Sequence, residues 1–199
     1  MTSLVAAVAE LGFRKRAGLV FTRGEGARCG WLGLNTASHF GAVGQVLVNP
    51  VVGVRHLDVE VWVSRGRGEK LHPYLPPTYS EPLRYLVPAE RRQDWIVDGG
   101  RSDRLVVEGV MSVLSTAGLA FIDELADVTA VSRALAVLAG RDQQAAYRWP
   151  VALLVSGQPE AALSAVVEVR ASLKQRTDRA AEELRGFLDW FERELRAGR

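Results

Sequence analysis

Three side chains that could bind a metal alternate with aliphatic residues in the segment Arg55–Val63, which has the sequence RHLDVEVWV. Alternate side chains of a β-strand point to opposite faces, so His56, Asp58 and Glu60 would share one face at steps of about 6–7 Å. That spacing suits the nitrogen and oxygen ligands of a transition metal. The pattern therefore admits a metal-dependent hydrolase or nuclease as one functional hypothesis.

The same face would carry Trp62, which favours a different hypothesis. An aromatic side chain beside charged groups is typical of the residues that dominate the binding energy of protein interfaces. Trp31 is expected to join Trp62 from a neighbouring strand, so the predicted partner-binding residues are Trp62, Glu60, Asp58, His56 and Trp31. The outer face of an antiparallel sheet is normally polar, and a plain solvated face is the third interpretation.

The strand that would carry these side chains needs a covered face. We predict that this covered face is formed by the aliphatic residues Leu57, Val59, Val61 and Val63. Their alternation determines which face is buried, because a one-residue shift in register would move every side chain to the opposite face. Period-two patterning predicts further strands at 19–22, 29–36 and 45–54, with 83–87 and 95–98 as two more candidates. Asn49-Pro50 predicts an edge strand or a bulge, because proline donates no ladder hydrogen bond. Turn residues dominate 64–81.

Helical spacing of apolar residues replaces this pattern after about residue 98. It predicts helices at 102–117, 125–138, 144–156 and 159–197, with Gly118 ending the first and Gly140 the second. Another short helix precedes Gly12. The fold class is therefore α+β, with an N-terminal helix, an antiparallel sheet of about five or six strands and about four C-terminal helices. We expect a single domain over residues 1–199, mostly sheet to residue 100 and helical from 101.

Composition excludes several classes of protein. The chain has 199 residues, 48% hydrophobic content and a net charge of +2, which is too near neutral to indicate a nucleic-acid or membrane partner. Cys29 is the only cysteine, so an internal disulfide and a thiolate zinc cluster are excluded. Gly41-Ala-Val-Gly44 is too short for a dinucleotide or phosphate fingerprint, and hydrolase motifs are absent from the sequence. We expect no cofactor.

Localisation follows from the lack of a targeting signal. No apolar run approaches the roughly 20 residues of a membrane span, so a cytoplasmic protein is expected. The abundance of arginine over lysine is typical of a GC-rich bacterium. Arg14, Lys15 and Arg16 form a basic cluster that could meet phosphates, but Glu25 dilutes it, and a solvated turn is the preferred interpretation over nucleic-acid binding.

Two segments resemble a group of small bacterial proteins of unknown function. Leu11–Phe21, LGFRKRAGLVF, is similar to the N-terminal Gly-Phe-basic-basic segment that leads into their curved antiparallel sheet. Gly118–Asp123, GLAFID, is similar to a second segment, in which the group often has proline at the position of Ala120. Some members are similar to toxin-immunity proteins. The resemblance implies a fold and transfers no catalytic residue.

Taken together, these features predict a non-enzymatic protein-binding module of a bacterial cytoplasm, such as an immunity, defence or adaptor protein. The reason for this prediction is that the sequence has no specific nucleophile, metal or phosphate motif. The alternative is the metal-dependent hydrolase or nuclease that would use His56, Asp58 and Glu60. A protein partner is expected under the first hypothesis, without a membrane, and the oligomeric state is left open.

Overall fold

The computed structural model describes residues 2–37, 44–100 and 102–198, so most of the Gly41–Gly44 segment lies outside the described residues. The fold class is α+β, as predicted, with an N-terminal helix, a six-stranded antiparallel sheet and about five C-terminal helices. The chain groups into two compact units. Unit 1 comprises Met1–Arg55 and Ser80–Ala126, and unit 2 comprises His56–Tyr79 and Asp127–Arg199. The units therefore interleave along the chain instead of dividing near residue 100.

The sheet belongs to unit 1, apart from one end residue of each of two strands. Its strands are β1 Phe13–Lys15, β2 Val20–Arg23, β3 Arg28–Ala37, β4 Val46–His56 and β5 Tyr79–Pro82 in this spatial order, and β6 Trp95–Val97 also pairs with β4. The strands predicted at 19–22, 29–36 and 45–54 are confirmed, and the candidate at 95–98 is also a strand. The candidate at 83–87 was wrong, because Leu83–Leu86 forms a 3₁₀ helix and the strand lies just before it.

Pro50 lies inside a central strand, so the expectation of an edge strand there was wrong. β4 has β3 on one side and both β5 and β6 as further partners. The pairing of β4 with β6 covers Val46, Leu47 and Val48 and ends two residues before the proline. A residue without an N–H is tolerated where the ladder with one partner has already ended.

The helices of unit 1 are α1, Thr2–Glu10, and a long helical stretch after the sheet. That stretch consists of α3 Ser102–Val113, a π-helical turn Leu114–Gly118 and α4 Leu119–Glu124. The prediction that Gly118 ends a helix was wrong. A Cβ at Gly118 would lie 2.8 Å from Leu114 Cδ1 and 3.1 Å from Leu83 Cδ1, so the glycine serves close packing and not helix termination.

One helix among the described residues, Asp103–Glu124, is long and apolar enough to cross a membrane by length and composition alone. The expectation that no segment reaches this length was therefore wrong. Only 22% of its apolar window is buried, and Leu105 is 69% exposed, although several residues of its exposed stripe are polar. Arg104, Glu108, Ser112 and Thr116 follow one another at intervals of four residues along that exposed stripe. Such a stripe is typical of an amphipathic helix with one side in water.

Unit 2 is helical. Its helices are α2 Leu57–Gly66, α5 Val128–Leu138, α6 Gln143–Val155, α7 Pro159–Ser172 and α8 Arg179–Ala197, and α6 contacts the other four. Asp127, Asp142 and Asp178 cap α5, α6 and α8 by accepting hydrogen bonds from backbone N–H groups of the first turn. The single helix predicted over 159–197 was wrong, because a break precedes Asp178 and a new helix begins after it.

The strand predicted at Arg55–Val63 was also wrong. β4 ends at His56 and α2 begins at Leu57. Val59 and Val63 are buried one helical turn apart, whereas Val61, predicted to face the core, is 42% exposed. Three valines at alternate positions fit a strand, but the buried residues have the spacing of a helix. The two acidic residues of the first turn also interact favourably with the positive end of the helix dipole.

Candidate functional site

The helical conformation separates the side chains that a strand would have placed on one face. His56 is buried at the end of β4, where its backbone N–H donates to Thr78 Oγ1 at 2.9 Å. Asp58 is exposed and Glu60 is buried. Across the described residues there is no group of three or more His, Cys, Asp or Glu side chains placed to hold a metal ion. The geometry on which the hydrolase hypothesis depended is therefore not present in this segment.

Glu60 instead forms a buried ion pair with Arg148 of α6, and the two side chains are only 2% and 3% exposed. Arg148 Nε donates to Glu60 Oε1 at 2.8 Å and Nη2 donates to Oε2 at 2.9 Å. Thr78 Oγ1 also donates to Oε1 at 2.9 Å. Arg148 Nη1 donates to the side chain of Gln144 at 2.8 Å. Both carboxylate oxygens are occupied within unit 2, so the prediction that Glu60 faces a partner was wrong.

Trp62 lies beside Trp190 of α8, and we call these two residues the tryptophan pair. Their ring centroids are 5.7 Å apart with an interplanar angle of 54°, and both side chains are half-buried. The inner edge of Trp62 meets Phe191 at 5.9 Å in a T-shaped contact. Phe187 then connects Trp190 to the buried ring of Tyr147. The tryptophan pair is thus the outer end of an aromatic cluster that extends into the core of unit 2.

A glycine fixes the position of Trp190. A Cβ at Gly66, the last residue of α2, would lie 2.3 Å from Trp190 Cε3 and 2.7 Å from Phe187 Cδ2. No larger residue fits without moving these rings, so Gly66 allows Trp190 to pack directly on the α2 backbone. The sequence had indicated only a turn at this glycine. Close packing against a distant helix has no local signature in sequence.

Charged groups border the tryptophan pair. The guanidinium carbon of Arg65 lies 5.9 Å from the centroid of the Trp190 ring, within the range of a cation–π interaction. Arg65 Nη2 also donates to Glu194 Oε2 at 3.0 Å. Val61 adds an exposed aliphatic side chain on α2. Aromatic rings, an arginine and an aliphatic group therefore occur together on α2 and α8.

Trp31 does not belong to this surface. It is buried in β3 of unit 1, where its indole lies across Gly33. A Cβ at Gly33 would be 2.5 Å from Trp31 Cη2, so the glycine makes room for the ring. The prediction that Trp31 joins Trp62 from a neighbouring strand was wrong, because Trp62 lies on a helix.

The basic cluster of β1 has partners within unit 1. Arg14 forms an ion pair with Glu25, and Arg16 Nε donates to Thr22 Oγ1 at 2.7 Å. Lys15 is exposed at the end of the same strand. An edge strand that carries basic side chains resists pairing with other chains, which is a sufficient structural reason for these residues.

A groove of about 510 Å³ in unit 1 contains the side chain of Cys29. Burial raises the pKa of the Cys29 thiol, and the nearby Arg55 and Arg16 oppose this shift more weakly. A nucleophilic cysteine needs the opposite shift, since the thiolate is the reactive form. The two arginines that line the groove also have partners, because Arg28 Nη1 donates to the Ala126 carbonyl at 2.9 Å and Arg23 lies 3.7 Å from Asp123. Among the described residues that line this groove, Cys29 is therefore not activated as a nucleophile.

Sequence reasoning missed Trp190, Arg65 and Arg148. Trp190 follows Phe187 by three residues, and that helical spacing was a signal that could have placed it beside the apolar stripe of α8. Arg148 had no such signal, because its partner Glu60 lies 88 residues earlier in the chain.

Comparisons with protein-family models, curated proteins and solved structures found no match. The resemblance to small bacterial proteins and immunity proteins therefore stays a prediction. The tryptophan pair combines Trp62, a predicted binding residue that stays partly accessible, with Trp190, which the sequence had not indicated.

Proposed function

We propose that this protein is a non-enzymatic protein-binding module whose partner docks on the tryptophan pair and its neighbours Val61 and Arg65. The observation that carries the proposal is the side-by-side placement of two half-buried indoles, 5.7 Å apart, contributed by two different helices. Tryptophan and arginine are the residues most enriched among those that dominate protein interfaces.

Preorganisation supports the same role. Gly66 and Phe187 fix the position of Trp190, and Phe191 supports Trp62 from below. A partner that covers these rings would restrict few additional torsions, so little conformational entropy would be lost on binding. Tryptophan joins a large apolar ring to a polar N–H group, a combination that is common at interfaces.

The chemistry of the surface indicates the chemistry of the partner. Val61 and the indoles favour aliphatic side chains in the partner, and the guanidinium of Arg65, already paired with Glu194, has further N–H groups that can donate to a hydrogen-bond acceptor. We therefore assign a protein segment with aliphatic residues flanked by a hydrogen-bond acceptor. The net charge of +2 does not complement a strongly basic nuclease, so an adaptor role in a bacterial cytoplasm is favoured over immunity to such a toxin.

Site-specific crosslinking tests this proposal. A photoreactive amino acid is placed at Val61 in the full chain, and a matched variant carries it at Val137, which is exposed on α5. We expect one protein to crosslink from position 61 and not from position 137. Its affinity for the wild-type chain is then measured with both proteins purified.

The affinity measurement includes a matched pair of tryptophan substitutions. Trp62→Leu should weaken binding at least tenfold, whereas Trp149→Leu should not, although Trp149 is also half-buried in unit 2. Thermal melting of both variants confirms that each is folded. Equal affinities for Trp62→Leu and Trp149→Leu would overturn the proposal, as would equal crosslinking from both positions.

A further inference from the structure

A second feature lies in unit 1, at a small pocket beside the start of β4 and the strand β6. Its lining includes Asn49, Arg84, Tyr85, Gln93, Asp94 and Trp95, and its volume is about 110 Å³. A single water needs only ~10–15 Å³ of such space. The pocket is therefore large enough for a molecule of several non-hydrogen atoms.

Two residues of this lining carry buried N–H donors. Arg84 Nε and Trp95 Nε1 are inaccessible and have no hydrogen-bond partner among the described residues. The Trp95 side chain as a whole is only 3% exposed. Most buried donors in folded proteins are paired, because an unpaired one loses its hydration without compensation. Two such donors on the lining of one pocket indicate a hydrogen-bond acceptor that is not part of this chain.

The neighbouring helix α3 packs closely on one of these donors, Trp95 Nε1. A Cβ at Gly109 would lie 3.2 Å from Trp95 Nε1 and 2.7 Å from Gln93 Nε2. Any residue larger than glycine would crowd the indole N–H and the Gln93 amide. Gly109 therefore leaves these polar groups uncovered by a side chain of α3.

The charges around the pocket favour an anion with a single charge. Arg84 Nη1 donates to Asp94 Oδ1 at 2.6 Å, so this guanidinium and this carboxylate neutralise each other. Arg92 places a further positive charge beside Tyr85, with its guanidinium carbon 5.1 Å from the ring centroid. Asp94 would repel a dianion more than a monoanion.

We infer that this pocket binds a small carboxylate-containing molecule, and that the side chains of Arg84 and Trp95 shift on binding so that Nε and Nε1, inaccessible in the unbound chain, donate to its oxygens. A carboxylate offers two acceptor oxygens. A charged N–H donor such as a guanidinium binds a carboxylate more strongly than it binds a neutral acceptor. The apolar part of the ligand would lie against Leu47, Val48 and Pro82, which complete the lining. This site is separate from the proposed partner surface and does not depend on it.

Nuclear magnetic resonance of the ¹⁵N-labelled full chain tests the inference through the indole N–H signals. The Trp95 signal is assigned with Trp95→Phe, or by sequential assignment where that variant does not fold. Sodium acetate is titrated against sodium chloride at equal ionic strength, and inorganic phosphate is titrated separately. We expect acetate to shift the Trp95 signal in a saturable manner and to leave the signals of the other four tryptophans in place.

A matched pair of substitutions gives the control. Arg84→Lys keeps the charge but removes the Nε donor, and it should weaken acetate binding at least fivefold. Arg91→Lys should leave it unchanged, since Arg91 is exposed and outside the pocket lining. An unsaturable response, an equal response to chloride, or unchanged affinity in Arg84→Lys would overturn the inference. Saturation by phosphate without saturation by acetate would also overturn it.

Discussion

In unit 2 the buried charges of Glu60 and Arg148 have hydrogen-bond partners, whereas in unit 1 two buried N–H donors beside a pocket have none among the described residues. Glu60 and Arg148 satisfy each other through two hydrogen bonds, with Thr78 and Gln144 completing the network. Arg84 Nε and Trp95 Nε1 have no comparable partner among the described residues. Both regions contain an inaccessible guanidinium nitrogen, so residue type alone does not distinguish them.

This difference separates a structural role from a binding role. A buried ion pair with complete hydrogen bonding adds little net stability over a hydrophobic replacement, but the loss of one member is severe because the other charge stays buried. An unpaired buried donor already carries its penalty in the folded protein. Removing that donor should therefore cost little, and supplying an acceptor should stabilise the protein.

The buried ion pair of unit 2 requires that α2 is a helix, because the helix brings Glu60 into the core of that unit. Val63→Asp should destabilise unit 2 by about 5 kcal/mol or more, because it buries a carboxylate without a partner. Val61→Asp should change the free energy of unfolding by less than about 0.5 kcal/mol, because Val61 is 42% exposed. Urea denaturation followed by circular dichroism measures both. Equal and large losses in the two variants would favour a strand over the helix.

Replacement of each arginine by methionine tests the comparison directly. Arg148→Met should cost about 3–5 kcal/mol, since Glu60 is left buried and unpaired. Arg84→Met should stay within about 1 kcal/mol of wild type, because the loss of a partly exposed ion pair with Asp94 is offset by removal of an unpaired donor. Chemical denaturation in a carboxylate-free buffer gives both values.

The double variant Glu60→Leu with Arg148→Met sharpens this result. It removes both charges of the buried pair and should recover most of the stability lost in Arg148→Met. A loss of several kcal/mol in Arg84→Met would mean that its buried donor is paired in solution. The two regions would then not differ in the way described.

The smallest predicted effect is the change in stability with pH that arises from Asp178, an exposed carboxylate of unit 2. Hydrogen bonds from Arg176 and from the Ala181 N–H lower the pKa of Asp178 from its ordinary 3.8 to about 2. A depressed pKa contributes stability above the ordinary value, and that stability is lost as the pH falls from about 4 towards 2. Asp178→Asn keeps a helix cap but loses the charge, so its melting temperature should be slightly below wild type at neutral pH.

The pH profile of the melting temperature checks this expectation. The gap between wild type and Asp178→Asn should be constant above about pH 5 and should close as the pH approaches 2. Arg176→Gln should reduce the same gap, because Arg176 is the largest cause of the shift. A gap that widens in acid would contradict the assignment.

Sequence patterning was sufficient for elements whose burial is set locally. The strands predicted at 19–22 and 29–36 and the helices predicted at 125–138 and 144–156 follow from the spacing of their own apolar residues, and each overlaps an observed element. α2 was missed because Val59, Val61 and Val63 have the period and the β-branching of a strand. Its conformation depends on tertiary contacts with α6 and α8, which local propensity does not encode.

The site could be predicted only in part for the same reason. Trp62 was singled out from the sequence as a partner-binding residue of a strand; it lies half-buried on a helix, and its neighbour Trp190 lies 128 positions later in the chain. The pocket of unit 1 had no signal, since Arg84 and Trp95 are ordinary residues until their donors are seen to lack partners. Hydrogen-bond satisfaction is a property of the folded chain.

The separation between Glu60 and Arg148 also has a consequence during synthesis on the ribosome. Arg148 is translated 88 residues after Glu60. At ~5–20 residues per second, Glu60 waits ~4–18 s for its partner. Unit 1 has its whole sequence once Ala126 has been translated, before Arg148 exists. Unit 1 is therefore expected to fold first on the growing chain, while α2 stays hydrated until the later helices emerge from the exit tunnel.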